Sequence, residues 1–115
     1  MRRGHSSNAM VGLLNSAPVF AALGDETRLR LIARLCSEGP APIKRLAAGF
    51  GITRQAVTKH LRALEDSGLV CHRRQGRESV WQLDQHRFQE VHRDLDIIEK
   101  QWDIALGRLR RIVEE

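Results

Sequence analysis

The sequence predicts a mainly α domain with a small β-hairpin, in the order α-α-α-α-β-β-α. Three observations lead there: short stretches with apolar residues at helical spacing, an alternating segment broken at Gly76, and a proline-free run from Asp84 onward. At 115 residues the chain is one domain by length. No apolar run approaches the roughly 18 residues of a membrane span, and the first residues lack the apolar core of a signal peptide, so a soluble cytoplasmic protein with no membrane partner is expected. Lys plus Arg outnumber Asp plus Glu by 19 to 14, which favours an anionic partner. Cys36 and Cys71 are expected to be reduced core or strand residues. The opening MRRGHSSNAM is polar, and SNAM resembles what a cleaved purification tag leaves. Residues 1–9 are therefore expected to be a disordered tail or tag remnant, with the domain spanning 10–115.

Ser16, two residues before Pro18, suits the start of a first helix that ends at Gly24. Asp25 suits the cap of a second, in which Leu29, Ile32, Ala33 and Cys36 share one face and Leu31 and Leu35 add apolar surface on the other side. After EGPAP, Pro42 fits the first turn of a third helix carrying Ile43, Leu46, Ala47 and Phe50. GIT is a tight turn, and Thr53 is an N-cap for the fourth helix. That helix ends at SGL, where Gly68 takes the left-handed conformation and Leu69 packs back. LVCHRR, QGRE and SVWQL read as strand, turn and strand, and Asp84 caps a last long helix.

Two helices joined by so short a turn need a small residue on the first, a permissive turn residue and an apolar wedge on the second. Ala47, Gly51 and Val57 supply these at the spacing of a helix-turn-helix. With Val57, Leu61 and Leu64 inward, Arg54, Gln55, Thr58, Lys59 and Arg62 lie outward, the first of them in the initial turns where a recognition helix meets base edges. Gln suits adenine, Arg and Lys suit guanine or phosphate, and Thr suits either. Thr53 and His60 complete the candidate DNA-binding set on this helix, His60 at its base, where packing or hydrogen bonding is favoured over metal binding. A hairpin after a recognition helix is a wing, and Arg73, Arg74 and Arg77 near its tip suit phosphates or a narrow minor groove. Double-stranded DNA is the expected partner.

From ALGDETRLRLI through ITRQAVTKHLRALEDSGLV and RRQGRESVWQL, the chain resembles the ArsR family of winged helix-turn-helix transcriptional repressors. The resemblance spans roughly residues 18–113 and implies a prokaryotic homodimer that binds a palindromic operator and often represses its own operon. It also poses the question of metal sensing. The family's common thiolate site needs cysteines in the third helix, where PIKRLAAGF has none. The family's site on the last helix begins here with Asp84 and His86, but its later positions hold Ile97 and Lys100, which are not usable ligands. Cys71 and His72, adjacent on a strand, point to opposite faces. No metal site and no cofactor are expected, and the effector is left open.

Phe88, Val91, Leu95, Ile98, Trp102, Ala105, Leu109 and Ile112 alternate spacings of three and four, a heptad seam on a helix of about 85–113. Flanking apolar residues widen the stripe beyond what one small domain covers, so this helix is expected to form the homodimer interface. Such a dimer would set two recognition helices about one DNA turn, roughly 34 Å, apart. No phosphate loop, nucleophile motif or paired carboxylates point to catalysis, so no enzyme is expected. The competing readings are a winged-helix protein-interaction module and a repressor responding to metal or redox through a non-standard site.

Overall fold

A computed structural model describes the backbone of residues 5–114 and the side chains from Val11 to Glu114. The elements in chain order are α1 (His5–Leu23), α2 (Glu26–Glu38), β1 (Ala41–Pro42), α3 (Ile43–Leu46), α4 (Arg54–Asp66), β2 (Val70–Gln75), β3 (Glu78–Leu83) and α5 (Gln85–Glu114). The core gathers Val19 of α1, Leu31, Ile32 and Leu35 of α2, Leu46 of α3, Val57, Leu61 and Leu64 of α4, and Trp81 of β3. Val91 of α5 closes it, with Phe88 packed against it.

Several local expectations hold. Asp25 caps α2 by accepting from the Arg28 amide at 3.0 Å, and Thr53 caps α4 by accepting from the Ala56 amide at 3.0 Å. The Asp84 carboxylate accepts from the amides of His86 and Arg87 at the start of α5. Gly68 has φ +88°, and the Leu69 amide reaches back to the Leu64 carbonyl at 3.1 Å, so α4 ends in the left-handed turn that a Cβ would strain.

Four features depart from the sequence reading. α1 begins at His5 rather than at Ser16, and so takes in residues 5–9 of the segment set aside as a tail; residues 1–4 lie outside the described residues. Ser16 is therefore buried in mid-helix, its hydroxyl donating to the Asp94 carboxylate of α5 at 2.6 Å, and packing against α5 carries the helix through Pro18. On α2 the buried face is Leu31, Ile32 and Leu35, while Leu29 and Cys36 are exposed. This helix packs against α1, α4 and β3, and that combination of neighbours, not its own periodicity, selects the face.

Ala41 and Pro42 form a third, edge strand instead of opening a helix. They pair antiparallel with Trp81 and Val80, giving the sheet order β1-β3-β2. Proline is tolerated there because an outer edge needs no amide donor. The third helix shrinks accordingly to Ile43–Leu46, and Ala47 and Phe50 fall in the following turn. Gly49 and Gly51 both take positive φ in that turn, which is thus longer than GIT. Arg34 holds it from α2, donating to the carbonyls of Arg45, Leu46 and Ala48, with its guanidinium 4.7 Å above the Phe50 ring.

Candidate nucleic-acid interface

Three residues of α4, Val57, Leu61 and Leu64, are fully buried. With one side of the helix committed to the core, the opposite side must present Arg54, Gln55, Lys59 and Arg62 to solvent, and all four are exposed. Thr58 is half-buried, and its hydroxyl donates to the Arg54 carbonyl at 2.8 Å, which leaves an acceptor and a methyl group for a partner. Thr53 is exposed at the N-cap. His60 differs from the outward set. It is half-buried and turned toward the start of α2, with Nδ1 3.8 Å from the Asp25 carboxylate.

The hairpin rises beside this helix. β2 and β3 pair from Val70 opposite Leu83 to Gln75 opposite Glu78, with Gly76 at φ +67° and Arg77 in the two-residue turn. Strand alternation puts Arg74 on the face of His72, and Arg73 on the face of Cys71. The His72 Nδ1 lies 2.6 Å from the Glu65 carboxylate of α4, and its ring centroid 4.5 Å from that of the buried Trp81. The face carrying Arg74 is thus tied to the recognition helix. Arg73, Arg74 and Arg77 are all exposed.

Sequence reasoning missed one basic contributor. A cleft of about 300 Å³ is lined by Pro42, Ile43, Lys44, Arg54, Glu78 and Ser79, bringing α3, the start of α4 and the wing together. Lys44 sits there on the first helix of the motif, the one that crosses the DNA backbone in this architecture. Its position before Ala47 in the motif was the available signal.

The other candidate sites lie elsewhere. Among the described residues no three His, Cys, Asp or Glu side chains are grouped to hold a metal ion. Asp84 is engaged as the α5 cap, and His86 stands 3.9 Å from Glu90. Both cysteines, however, line one cleft of about 620 Å³ together with Leu35, Pro40, Gln82 and Asp84. The Gln82 amide donates to the Cys71 sulfur at 3.6 Å. No helix of the described residues is long and apolar enough to cross a membrane.

A helix-turn-helix whose second helix shows a basic outer face, flanked by an arginine-tipped hairpin, defines the winged helix-turn-helix class of DNA-binding proteins. A helix-turn-helix domain model matches residues 23–73. The HTH-type transcriptional regulator Rv2034 of Mycobacterium tuberculosis is 34% identical over 95 residues, covering 83% of this chain and 85% of the relative. The transcriptional repressor SmtB homolog of a Synechocystis strain is 33% identical, covering 69% of this chain and 59% of that protein. Among solved structures, an ArsR-like transcriptional regulator from Rhodococcus sp. RHA1 superposes with a TM-score of 0.75 at 34% identity, covering 87% of this chain and 93% of that one. This chain belongs to the ArsR family of winged helix-turn-helix transcriptional regulators and is a DNA-binding regulator, not an enzyme.

Among the described residues Asp25 is electrostatically perturbed. Its pKa lies below the ordinary carboxylate value, chiefly through the hydrogen bond from the Arg28 amide; partial burial opposes this, and His60 and the Arg28 side chain reinforce it. A depressed folded pKa means that the stabilisation is present above the unfolded value of about 4 and is lost as pH falls through the folded value. Asp25→Asn should therefore lower stability at neutral pH and flatten the acid limb of a urea-denaturation pH profile; an unchanged limb would show that Asp25 does not contribute.

Proposed function

We propose that this chain is a homodimeric repressor that binds a palindromic operator, often its own, with one α4 in each of two successive major grooves and the wings on the flanks. Arg54, Gln55, Thr58 and Lys59 read base edges. Arg62, Arg73, Arg74 and Arg77, joined by Lys44, hold phosphates, and Thr53 contributes at the helix start. His60 acts indirectly, through the position of α4. The chromosome being its partner, the protein works in the cytoplasm of its cell.

The observation that carries the dimer is the apolar surface beyond Val91. Along α5, Leu95 is 46% exposed, Trp102 63%, Leu109 57% and Ile112 71%, with Ile98 and Ala105 also exposed between them. Val11 and Leu14 of α1 add to it. Val91, the second residue of the expected seam, packs instead into its own domain's core and Phe88 is half-buried against that core, so most of the exposed apolar surface runs from Leu95 onward. The radius of gyration, 18.7 Å, exceeds the about 13 Å of a compact chain this long, because α5 projects past the domain. A projecting helix with this much apolar surface is favoured to bury it against a second copy.

A second reading concerns the effector. Cys36 and Cys71, on α2 and β2, line the same cleft at the base of the wing, which favours a thiol-responsive regulator. Hydrogen peroxide as oxidant would take two electrons and two protons from the thiol pair, giving a disulfide and two waters.

Three outcomes test these readings. With an operator obtained by selection from genomic fragments, Gln55→Ala should cost about 1–3 kcal/mol of discrimination at one base pair, whereas Arg74→Ala should weaken all duplexes and reduce the salt slope by about one unit. If neither changes binding, the interface is misassigned. Trp102→Asp should yield a monomer in sedimentation and reduce operator affinity by about 10²–10⁴-fold; a variant that remains dimeric contradicts the α5 seam. Peroxide should release operator from the wild type but not from Cys36→Ser or Cys71→Ser, and equal release from all three rejects the thiol reading.

A further inference from the structure

One side chain ties the recognition helix to both helices that carry the proposed dimer surface. Arg87, in the first turn of α5, donates through Nε to the carbonyl of Ser67, the C-cap of α4, at 3.3 Å. Its Nη2 donates to the Asn15 carbonyl of α1 at 2.7 Å, and its Nη1 to the Glu90 carboxylate at 3.2 Å. Its stem lies against Gly68, where an added Cβ would come within 3.4 Å of Cγ, Cδ and Nε. Ser67 is itself fixed, its hydroxyl donating to the Leu64 carbonyl at 2.7 Å. Among the described residues this is the one side-chain hydrogen bond between the end of α4 and α5.

The chemistry suits the place. The carbonyl end of a helix carries partial negative charge, so a guanidinium there is favoured. A planar fork whose donors sit on three separate nitrogens can satisfy carbonyls on two elements and a carboxylate at once, whereas lysine presents its three donors from a single nitrogen. Each contact also has a geometric effect: α4 is held at its far end to both helices that carry the apolar surface proposed to pair. The Ser16 to Asp94 hydrogen bond at 2.6 Å fixes α1 to α5 two turns further along α5.

We propose that Arg87 is a positioning residue that sets the separation and angle of the two recognition helices in the dimer, and so determines which operator half-site spacing the protein accepts. The inference rests on the dimeric reading above. Arg87 need touch no DNA. Inserting one base pair between half-sites moves them apart by about 3.4 Å and rotates them by about 34–36°, which a stiff dimer rejects and a loose one tolerates.

The test uses the full chain and duplexes built from the selected operator, with its spacing kept, lengthened or shortened by one base pair, plus a single half-site. The wild type should prefer its own spacing by about tenfold or more over either altered duplex. Arg87→Gln should compress that preference to within about threefold while single half-site affinity, dimerisation and melting temperature stay close to wild type. Arg87→Lys keeps the stem over Gly68 and the charge but not the fork, guards against a folding defect in the first variant, and should discriminate to an intermediate degree. Dimeric Arg87→Gln and Arg87→Lys that keep the wild-type preference overturn this inference alone. An equal loss on every duplex, the half-site included, assigns Arg87 a merely structural role and also overturns it. A monomeric wild type sinks the dimeric reading, and this inference with it.

Discussion

Everything that α4 presents outward follows from what it buries. Val57, Leu61 and Leu64 are withdrawn completely from water, and each buried side chain of this kind stabilises the fold by about 1.5–3 kcal/mol. Rolling the helix to hide its charged side would expose all three leucine and valine side chains and force guanidinium and ammonium groups into the core, which no partner there could compensate. The orientation of Arg54, Gln55, Lys59 and Arg62 is therefore a by-product of packing. A surface built this way is rigid without any investment in the outward residues themselves.

The same economy governs the surroundings of the helix. Its N-terminus is held by Thr53, its middle by the His60 to Asp25 contact, and its last turn by Glu65 against His72 of the wing. The preceding turn is fixed from behind by Arg34, which donates to the carbonyls of Arg45, Leu46 and Ala48 at and just after the end of the short α3. Side chains that face the core or neighbouring elements set the position, and side chains that face solvent remain available for DNA. Few residues serve both ends, and Thr58, half-engaged with its own backbone, is the clearest of them.

Legibility in the sequence divides along the same line. The fourth helix, its cap, its Gly68 terminus and the hairpin were readable because each is specified by residues within a few positions: Thr53 for the start, Gly68 for the stop, Gly76 for the tip. The misread elements owe their form to distant partners. Ala41 and Pro42 become a strand because Trp81 and Val80 lie alongside, and nothing within five residues of Pro42 announces that. Ser16 looked like a helix start because serine before proline usually is one, but the carboxylate of Asp94, 78 residues away, gives its hydroxyl a partner in mid-helix. On α2, with leucines on every side, periodicity could not choose among faces. The outward residues of the candidate interface were legible once the buried ones were, and Lys44 could have been read from its place before Ala47; the shared cleft of Cys36 and Cys71 required the tertiary arrangement.

The short β1 strand gives the wing a mechanical character. By pairing with Val80 and Trp81 it clamps the hairpin at mid-length, where both residues are buried, while the segment from Arg74 to Glu78 extends beyond that clamp and is exposed. The wing is thus a cantilever with a built-in root and a free arm. Bending the arm disturbs no core contact, and the load is returned to the root beside Glu65 and His72 instead of being spread through the domain.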